Sequence, residues 1–87
     1  MVNALYGGMP VGETYVDAII SFQNAIKYNP KYIIHYFELA KTFYLRDCKG
    51  DKEFAKEYLK AALSLPNMAP DDPENRQHCE ELLKKLE

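Results

Sequence analysis

The first strongly patterned segment of the chain, YVDAIISFQNAIKY, has its apolar side chains at helical spacing. The positions i, i+3, i+4, i+7 and i+11 form one stripe, made of Tyr15, Ala18, Ile19, Phe22 and Ile26. Thr14 followed by Asp17 is a helix-start signal, so we expect the helix to begin at Tyr15 with Thr14 as its N-cap. Asn29 and Pro30 should end it, because a residue before proline is displaced from the helical region.

The next two segments predict helices of different character. The polar positions of KYIIHYFELAKTFYLR, residues 31–46, lie on one narrow stripe formed by His35, Glu38, Thr42 and Arg46. Apolar side chains cover most of the circumference, so this second helix should have neighbours on more than one face. After a turn at Gly50 and Asp51, DKEFAKEYLKAALSL returns to an amphipathic pattern with one apolar face.

The C-terminal segment predicts a fourth helix over residues 73–86, preceded by the loop PNMAPDDP. Asp72 before Pro73 has the form of a capping residue followed by proline at the first helical position. One face of the helix is apolar and consists of Cys79, Leu82, Leu83 and Leu86. No segment alternates with the period of a strand between turn residues, so we predict an all-α fold.

An internal repeat links these helices. The pattern Ala18-x3-Phe22-x2-Ala25 recurs as Ala55-x3-Leu59-x2-Ala62, and Tyr36-x2-Leu39-Ala40-x2-Phe43 lies between the two. It resembles the tetratricopeptide repeat, a helix-turn-helix of about 34 residues. The departures are three extra residues in LRDCKGD, Ala40 in place of a glycine, and Pro66 one position early. The resemblance implies antiparallel helical hairpins in a right-handed array, with the last helix as a cap.

This interpretation divides the chain into parts of one domain, 1–87. We expect an entry loop over 1–13, repeat helices over 14–66, a loop over 67–72 and a capping helix over 73–87. Only about one and a half repeats are present, whereas such arrays usually need about three to bury a continuous core. We therefore expect either a fragment of a larger protein or a chain that pairs with itself.

A narrower resemblance concerns the order of features along the chain. A glycine-rich start, a repeat with a long inter-helix turn, LSLP, an acidic proline-containing loop and a final EELLKKLE follow one another. This order is similar to the C-terminal part of the regulator of microtubule dynamics family and its bacterial relatives. The resemblance implies a non-catalytic adaptor role.

Composition narrows the class of partner. The 87 residues are 47% hydrophobic, with a formal net charge of −2. No apolar run approaches the roughly 20 residues of a membrane span. The basic residues are scattered among acidic ones and form no stripe for a phosphate backbone, so we expect no nucleic-acid partner.

The opening stretch GGMPVGET imitates a phosphate-binding loop. Gly7, Gly12 and Thr14 match G-x-x-x-x-G-K-[ST], but Glu13 stands where the pattern needs a lysine and Pro10 removes an amide. Glu13 would repel a phosphate, while an acid is favoured at the start of a helix. We interpret the stretch as an entry turn and expect no nucleotide or other cofactor.

Metal and catalytic sites are also not expected. His78 and Cys79 are adjacent on a helix and diverge by about 100°, and neither a C-x2-C nor an H-x3-H spacing occurs with Cys48 or His35. Cys79 should pack against leucines, with His78 facing water. Two reduced thiols are favoured, although one bridge is compatible with the count. Nothing groups a nucleophile with a base, so we predict that the chain is not an enzyme.

What remains is a protein-binding surface. In tetratricopeptide arrays the first helix of each repeat lines a concave groove, and the resemblance places Ile34, Phe37, Lys41, Tyr44 and Leu45 there. Chaperone-binding members hold a carboxylate with a lysine and an asparagine. This chain has Phe37 and Lys41 at those two positions, so that pair is absent. An aromatic and aliphatic groove suits an apolar peptide or a neighbouring helix. The alternative is that this face serves only intramolecular packing or homodimerisation.

Overall fold

The computed structural model describes the backbone of residues 12–87 and the side chains from residue 15 onward. It contains four helices: α1 (Gly12–Tyr28), α2 (Ile33–Arg46), α3 (Asp51–Leu63) and α4 (Asp72–Leu86). Residues 12–87 contain no strand, which confirms the predicted all-α class. None of the four helices is both long enough and apolar enough to cross a membrane.

The start of α1 differs from the prediction. The helix includes Gly12, so Thr14 lies inside it and the predicted N-cap at Thr14 is wrong. Glycine is accepted at helix starts and does not stop the helix there. The predicted entry turn falls mainly on residues 1–11, outside the residues that the structure describes. The other end agrees with the sequence, since α1 ends at Tyr28, directly before Asn29 and Pro30.

The central element is α2, which packs against each of the other three helices. Leu39 and Ala40 in its middle are fully buried, as expected for a helix that is apolar around most of its circumference. Ala55 and Ala62 of α3 are also fully buried, which lets the backbones of α2 and α3 approach closely. The remaining buried apolar side chains are Ile19, Ile33, Phe43, Leu59, Cys79 and Leu82.

The α2–α3 connection is short and is closed by an ion pair. Asp47 ends α2 with φ 56°, and Gly50 has φ 86°, a value that glycine adopts without steric cost. Arg46 donates two hydrogen bonds of 2.8 Å to the carboxylate of Asp51, which also accepts the Cys48 N–H at 2.9 Å. Asp51 is 1% exposed. This clamp sets the direction in which α3 returns along α2.

The α3–α4 connection corrects the expected role of Asp72. Its side chain does not cap α4, because Oδ2 points back into the loop and accepts the N–H groups of Met68 at 2.6 Å and Ala69 at 2.7 Å. A side chain at the first helical position leans toward the helix N-terminus, which brings the carboxylate to the preceding turn. Pro73 does lie at the start of the helix, as predicted.

Arg76 ties the same loop to the end of α3. Its guanidinium donates to the carbonyl of Leu63 at 2.9 Å, to the carbonyl of Leu65, and to Asn67 Oδ1 at 3.0 Å. The bond to Leu63 satisfies a carbonyl that α3 leaves unpaired at its C-terminus, and the other two hold the loop that follows. Together with Asp72 they determine where α4 starts, and α4 then runs alongside both α2 and α3.

Candidate functional site

A groove lies between α2 and α4, and its two walls follow from helical spacing. The α2 wall has residues at i, i+4, i+7 and i+8, and the α4 wall has residues at i, i+3, i+4 and i+7. The lining side chains are Phe37, Lys41, Tyr44 and Leu45 of α2, with His78, Glu81, Leu82 and Lys85 of α4. We call this the α2–α4 groove; its volume is about 230 Å³.

Four of the five predicted binding residues line the α2–α4 groove, and Ile34 does not. Ile34 is half-buried near the start of α2. The α4 wall was not anticipated as part of the groove, since the sequence pattern presented that helix only as a cap. An amphipathic pattern shows which face of a helix is apolar but not which neighbour that face will meet.

One end of the groove is already covered by α4. The ring of Phe37 stacks on the imidazole of His78, with centroids 5.6 Å apart and planes 28° from parallel. The Lys41 ammonium lies 5.6 Å from the centre of the same ring. Phe37 is therefore half-buried by contacts within the chain, which is the outcome that the packing alternative expected for this residue.

The other end of the groove is open. Tyr44 is 36% exposed and Leu45 is 47% exposed, and both stand beside Lys85 on the opposite wall. Large, partly exposed side chains that are grouped in a concave surface are more typical of a contact site than of a core. This end can receive an apolar side chain from another molecule.

The charges of the groove are mixed. Lys41 forms an ion pair of 3.5 Å with Glu38 on its own helix. His78 lies 3.9 Å from Glu74 and 3.8 Å from Glu81, all on the exposed surface of α4. Lys85 has no ion pair with any side chain of residues 15–87. The groove therefore combines an apolar floor with charged rims on both walls.

The two buried aspartates are ionised supports of this geometry. The hydrogen bonds from Arg46 are the main cause of the lowered pKa of Asp51. The backbone N–H groups of Met68 and Ala69 lower the pKa of Asp72 and outweigh the effect of its burial. Sequence reasoning missed both roles. The one available signal was the spacing of Arg46 and Asp51 across a turn containing Gly50.

The cysteines and histidines do not assemble into a metal site within the described part of the chain. Cys79 is fully buried in the core, as predicted, and burial raises the pKa of its thiol to about 11. Cys48 is exposed, and both thiols are free. The imidazole of His78 is partly exposed, but it also contacts Phe37, so it does not simply face water.

The glycine-rich stretch 7–14 cannot be placed against this site, because residues 7–11 and the side chains of 12–14 lie outside those described. The expected absence of a nucleotide site there stays a prediction.

Comparison with known proteins gives one match. The family model described as RMD1-3, regulator of microtubule dynamics protein 1-3, matches residues 1–87, the whole chain. No curated protein and no solved structure matches the chain.

Proposed function

This chain belongs to the regulator of microtubule dynamics protein 1-3 family, and we propose that it is a non-catalytic protein-binding module that serves as a scaffold or adaptor. In this proposal the α2–α4 groove receives an apolar peptide or helix of a protein partner. The partner would belong to the microtubule-related process that the family description names.

The observation that carries the proposal is the open end of the groove. Tyr44, Leu45 and Lys85 come from two helices that are distant in sequence, and they form one concave surface. A tyrosine gives a large contact area at low cost in conformational entropy. An inserted aliphatic side chain would cover Leu45, while Lys85 remained at the rim to meet a carboxylate.

A tetratricopeptide-like arrangement is supported by the order of helix contacts. Each helix packs against the next along the chain, and α2 also packs against α4. We propose that α1 is the second helix of one repeat and that α2 and α3 form the following repeat. On that assignment α2 and α4 are successive first helices, which in such arrays line the same concave side.

The non-catalytic part of the proposal is supported by the setting of the one imidazole in the groove. His78 lies near Glu74 and Glu81 at spacings of four and three residues on one exposed helix face. The carboxylates are 75% and 61% exposed. Pairs of this kind are ordinary surface interactions that stabilise a helix by about 0.2–0.5 kcal/mol.

The competing function is structural, with the apolar face used only for packing within the chain or for homodimerisation. The stacking of Phe37 on His78 favours this alternative for one end of the groove. Tyr44 and Leu45 distinguish the two functions, because both remain exposed in the single chain.

The test is a selection of peptides from a displayed random library, followed by fluorescence anisotropy with the selected peptides. We expect peptides with apolar residues at helical spacing, and we expect Tyr44→Glu and Leu45→Glu to weaken their binding at least tenfold. Ile20→Glu is the matched control, because Ile20 is 51% exposed and lies outside the groove. Peptides whose affinity is equal for Tyr44→Glu and Ile20→Glu would contradict binding in the groove.

Light scattering tests the structural alternative. A concentration-dependent dimer that Tyr44→Glu or Phe37→Glu abolishes would assign the face to self-association. Pelleting with polymerised microtubules then tests the microtubule-related part of the proposal, with Tyr44→Glu, Leu45→Glu and Ile20→Glu. Co-sedimentation that Tyr44→Glu removes and Ile20→Glu keeps is the expected result, and its absence would mean that the partner is not the polymer itself.

A further inference from the structure

A second depression lies where the α1–α2 turn meets the α3–α4 loop, and it shares no residue with the α2–α4 groove. Its volume is about 230 Å³. It is lined by Tyr28, Asn29, Pro30, Lys31, Tyr32 and Met68, which we call the tyrosine–lysine surface. The proposed role of the α2–α4 groove leaves it unexplained.

Large apolar side chains are exposed on this surface. Tyr28 is 76% exposed, Met68 is 58% exposed and Tyr32 is 40% exposed. Residues 28–32 and Met68 come from connections that are far apart in sequence, yet they line one depression. Tyrosine and methionine are enriched in protein–protein interfaces, where their faces take up apolar groups of a partner.

The backbone beneath these side chains is held by hydrogen bonds. The Tyr36 hydroxyl donates to the Pro30 carbonyl at 2.7 Å, and the Asn29 N–H donates to the Ala25 carbonyl at 2.8 Å. On the other side, the Met68 N–H donates to the buried carboxylate of Asp72 at 2.6 Å. The surface is therefore already formed in the free chain, which lowers the entropy cost of binding.

The one charged side chain that lines the surface is positive. It is Lys31, and Lys27 lies four residues earlier along the chain, in the last turn of α1. Both lysines are exposed, and neither has an ion pair within the part of the chain that the structure describes. The first turn of α2, all of it described, contains no acidic residue to offset them.

We infer that the tyrosine–lysine surface binds an acidic peptide segment of a partner protein, with an aromatic or long aliphatic residue beside its carboxylates. The apolar residue lies against Tyr28 and Met68, and the carboxylates meet Lys27 and Lys31. Complementary charge speeds association and excludes basic segments, and the tyrosine and methionine faces add contact area. This site is independent of the α2–α4 groove.

The test uses the whole chain and a displayed library of random short peptides, with selected peptides then measured by fluorescence anisotropy. We expect a class of peptides in which acidic residues flank an aromatic or long aliphatic residue. Lys31→Glu should weaken their binding about tenfold or more, because it replaces attraction by repulsion. Tyr28→Ala should weaken it as well, whereas Tyr44→Ala in the α2–α4 groove should leave it unchanged.

Both surface variants change exposed side chains, and far-UV circular dichroism should verify that each keeps its helices. Raised salt should weaken the binding of wild type more than that of Lys31→Gln, since screening acts on the charge that the variant lacks. Three results would overturn the inference. The first is that acidic peptides bind Lys31→Glu as tightly as they bind wild type. The second is that the chain binds anionic lipid vesicles but selects no acidic peptides, and the third is that the chain forms a dimer that Lys31→Glu dissociates.

Discussion

The connections before α3 and α4 have the same turn geometry, but the buried carboxylate in each turn is stabilised by different partners. In each, the first helical residue is a buried aspartate: Asp51 donates its N–H to Cys48 O at 2.9 Å, and Asp72 donates its N–H to Ala69 O at 3.0 Å. In each, the carboxylate accepts the N–H of that same residue three positions earlier. The chain thus builds one local device twice.

The difference lies in the arginine. Arg46 forms two hydrogen bonds with Asp51, whereas the nearby Arg76 donates to Leu63, Leu65 and Asn67 instead of to Asp72. Asp72 depends on neutral N–H groups, and its Oδ1 is buried without a hydrogen-bond partner within the described residues. The α2–α3 turn therefore contains a carboxylate that is fully paired with an arginine. The α3–α4 loop contains a carboxylate with hydrogen bonds to only one of its two oxygens.

The largest effect is expected from Asp51→Ala. Removing the carboxylate leaves the partly buried Arg46 and the Cys48 N–H without their partner, which should lower the free energy of unfolding by about 3 kcal/mol. Urea unfolding measures the change. Glu53→Ala is the control, because Glu53 is an exposed acid in the same first turn of α3. Equal losses for the two variants would show that the ion pair contributes nothing.

The isosteric variants Asp51→Asn and Asp72→Asn should lower the free energy of unfolding by different amounts. An asparagine at 51 presents an N–H₂ group toward the Arg46 guanidinium, and we expect a loss of about 2 kcal/mol. An asparagine at 72 can still accept the N–H groups of Met68 and Ala69, so the loss should be about 1 kcal/mol. A larger loss at 72 than at 51 would reverse the comparison.

A smaller difference between wild type and the two asparagine variants is expected in how stability depends on acidic pH. Because the pKa of each aspartate is lowered in the folded chain, each contributes stability above its unfolded pKa of about 3.9. That contribution is lost as the pH falls through the folded pKa. The free energy of unfolding, measured from neutral pH to below pH 4, should therefore fall less steeply in Asp51→Asn and Asp72→Asn than in wild type. Glu74→Gln, at an exposed position, should keep the wild-type slope, and variants as steep as wild type would contradict the assignment.

The smallest effect is expected at Cys48. Asp51 accepts the backbone N–H of Cys48 and not its thiol, so Cys48→Ala should change the free energy of unfolding by less than about 0.5 kcal/mol. A thiol reagent should modify Cys48 in the native chain much faster than Cys79, which is buried and has a pKa of about 11. Equal labelling rates would mean that the core around α4 opens readily.

The helices were largely predictable, because each depends on residues that are close in sequence. Asn29 and Pro30 correctly marked the end of α1. The two wrong capping predictions have different causes. The helix α1 already begins at Gly12, so Thr14 lies inside it, whereas the Asp72 carboxylate accepts N–H groups of the loop behind it.

The lining of the α2–α4 groove was predictable on the α2 side only. The resemblance to the tetratricopeptide repeat placed Ile34, Phe37, Lys41, Tyr44 and Leu45 along one face of α2, and the structure places all of them except Ile34 in the groove. No local signal indicated the α4 wall, the Phe37–His78 stack or the depression that Tyr28 and Met68 both line. These features depend on where α4 and the loop before it lie, and Asp72 and Arg76 hold that loop through their hydrogen bonds.

By itself the sequence determined the all-α class, four amphipathic helices, a broadly apolar α2 and the likeness to the family that the whole chain matches. These follow from periodicity and turn residues, which act over a few positions. Only the tertiary structure decided that α4 closes one end of the groove and leaves Tyr44 and Leu45 exposed, and that two buried aspartates hold the connections. Those outcomes depend on side chains that meet across separate helices, and hydrophobic spacing along one helix contains no information about its neighbour's direction or register.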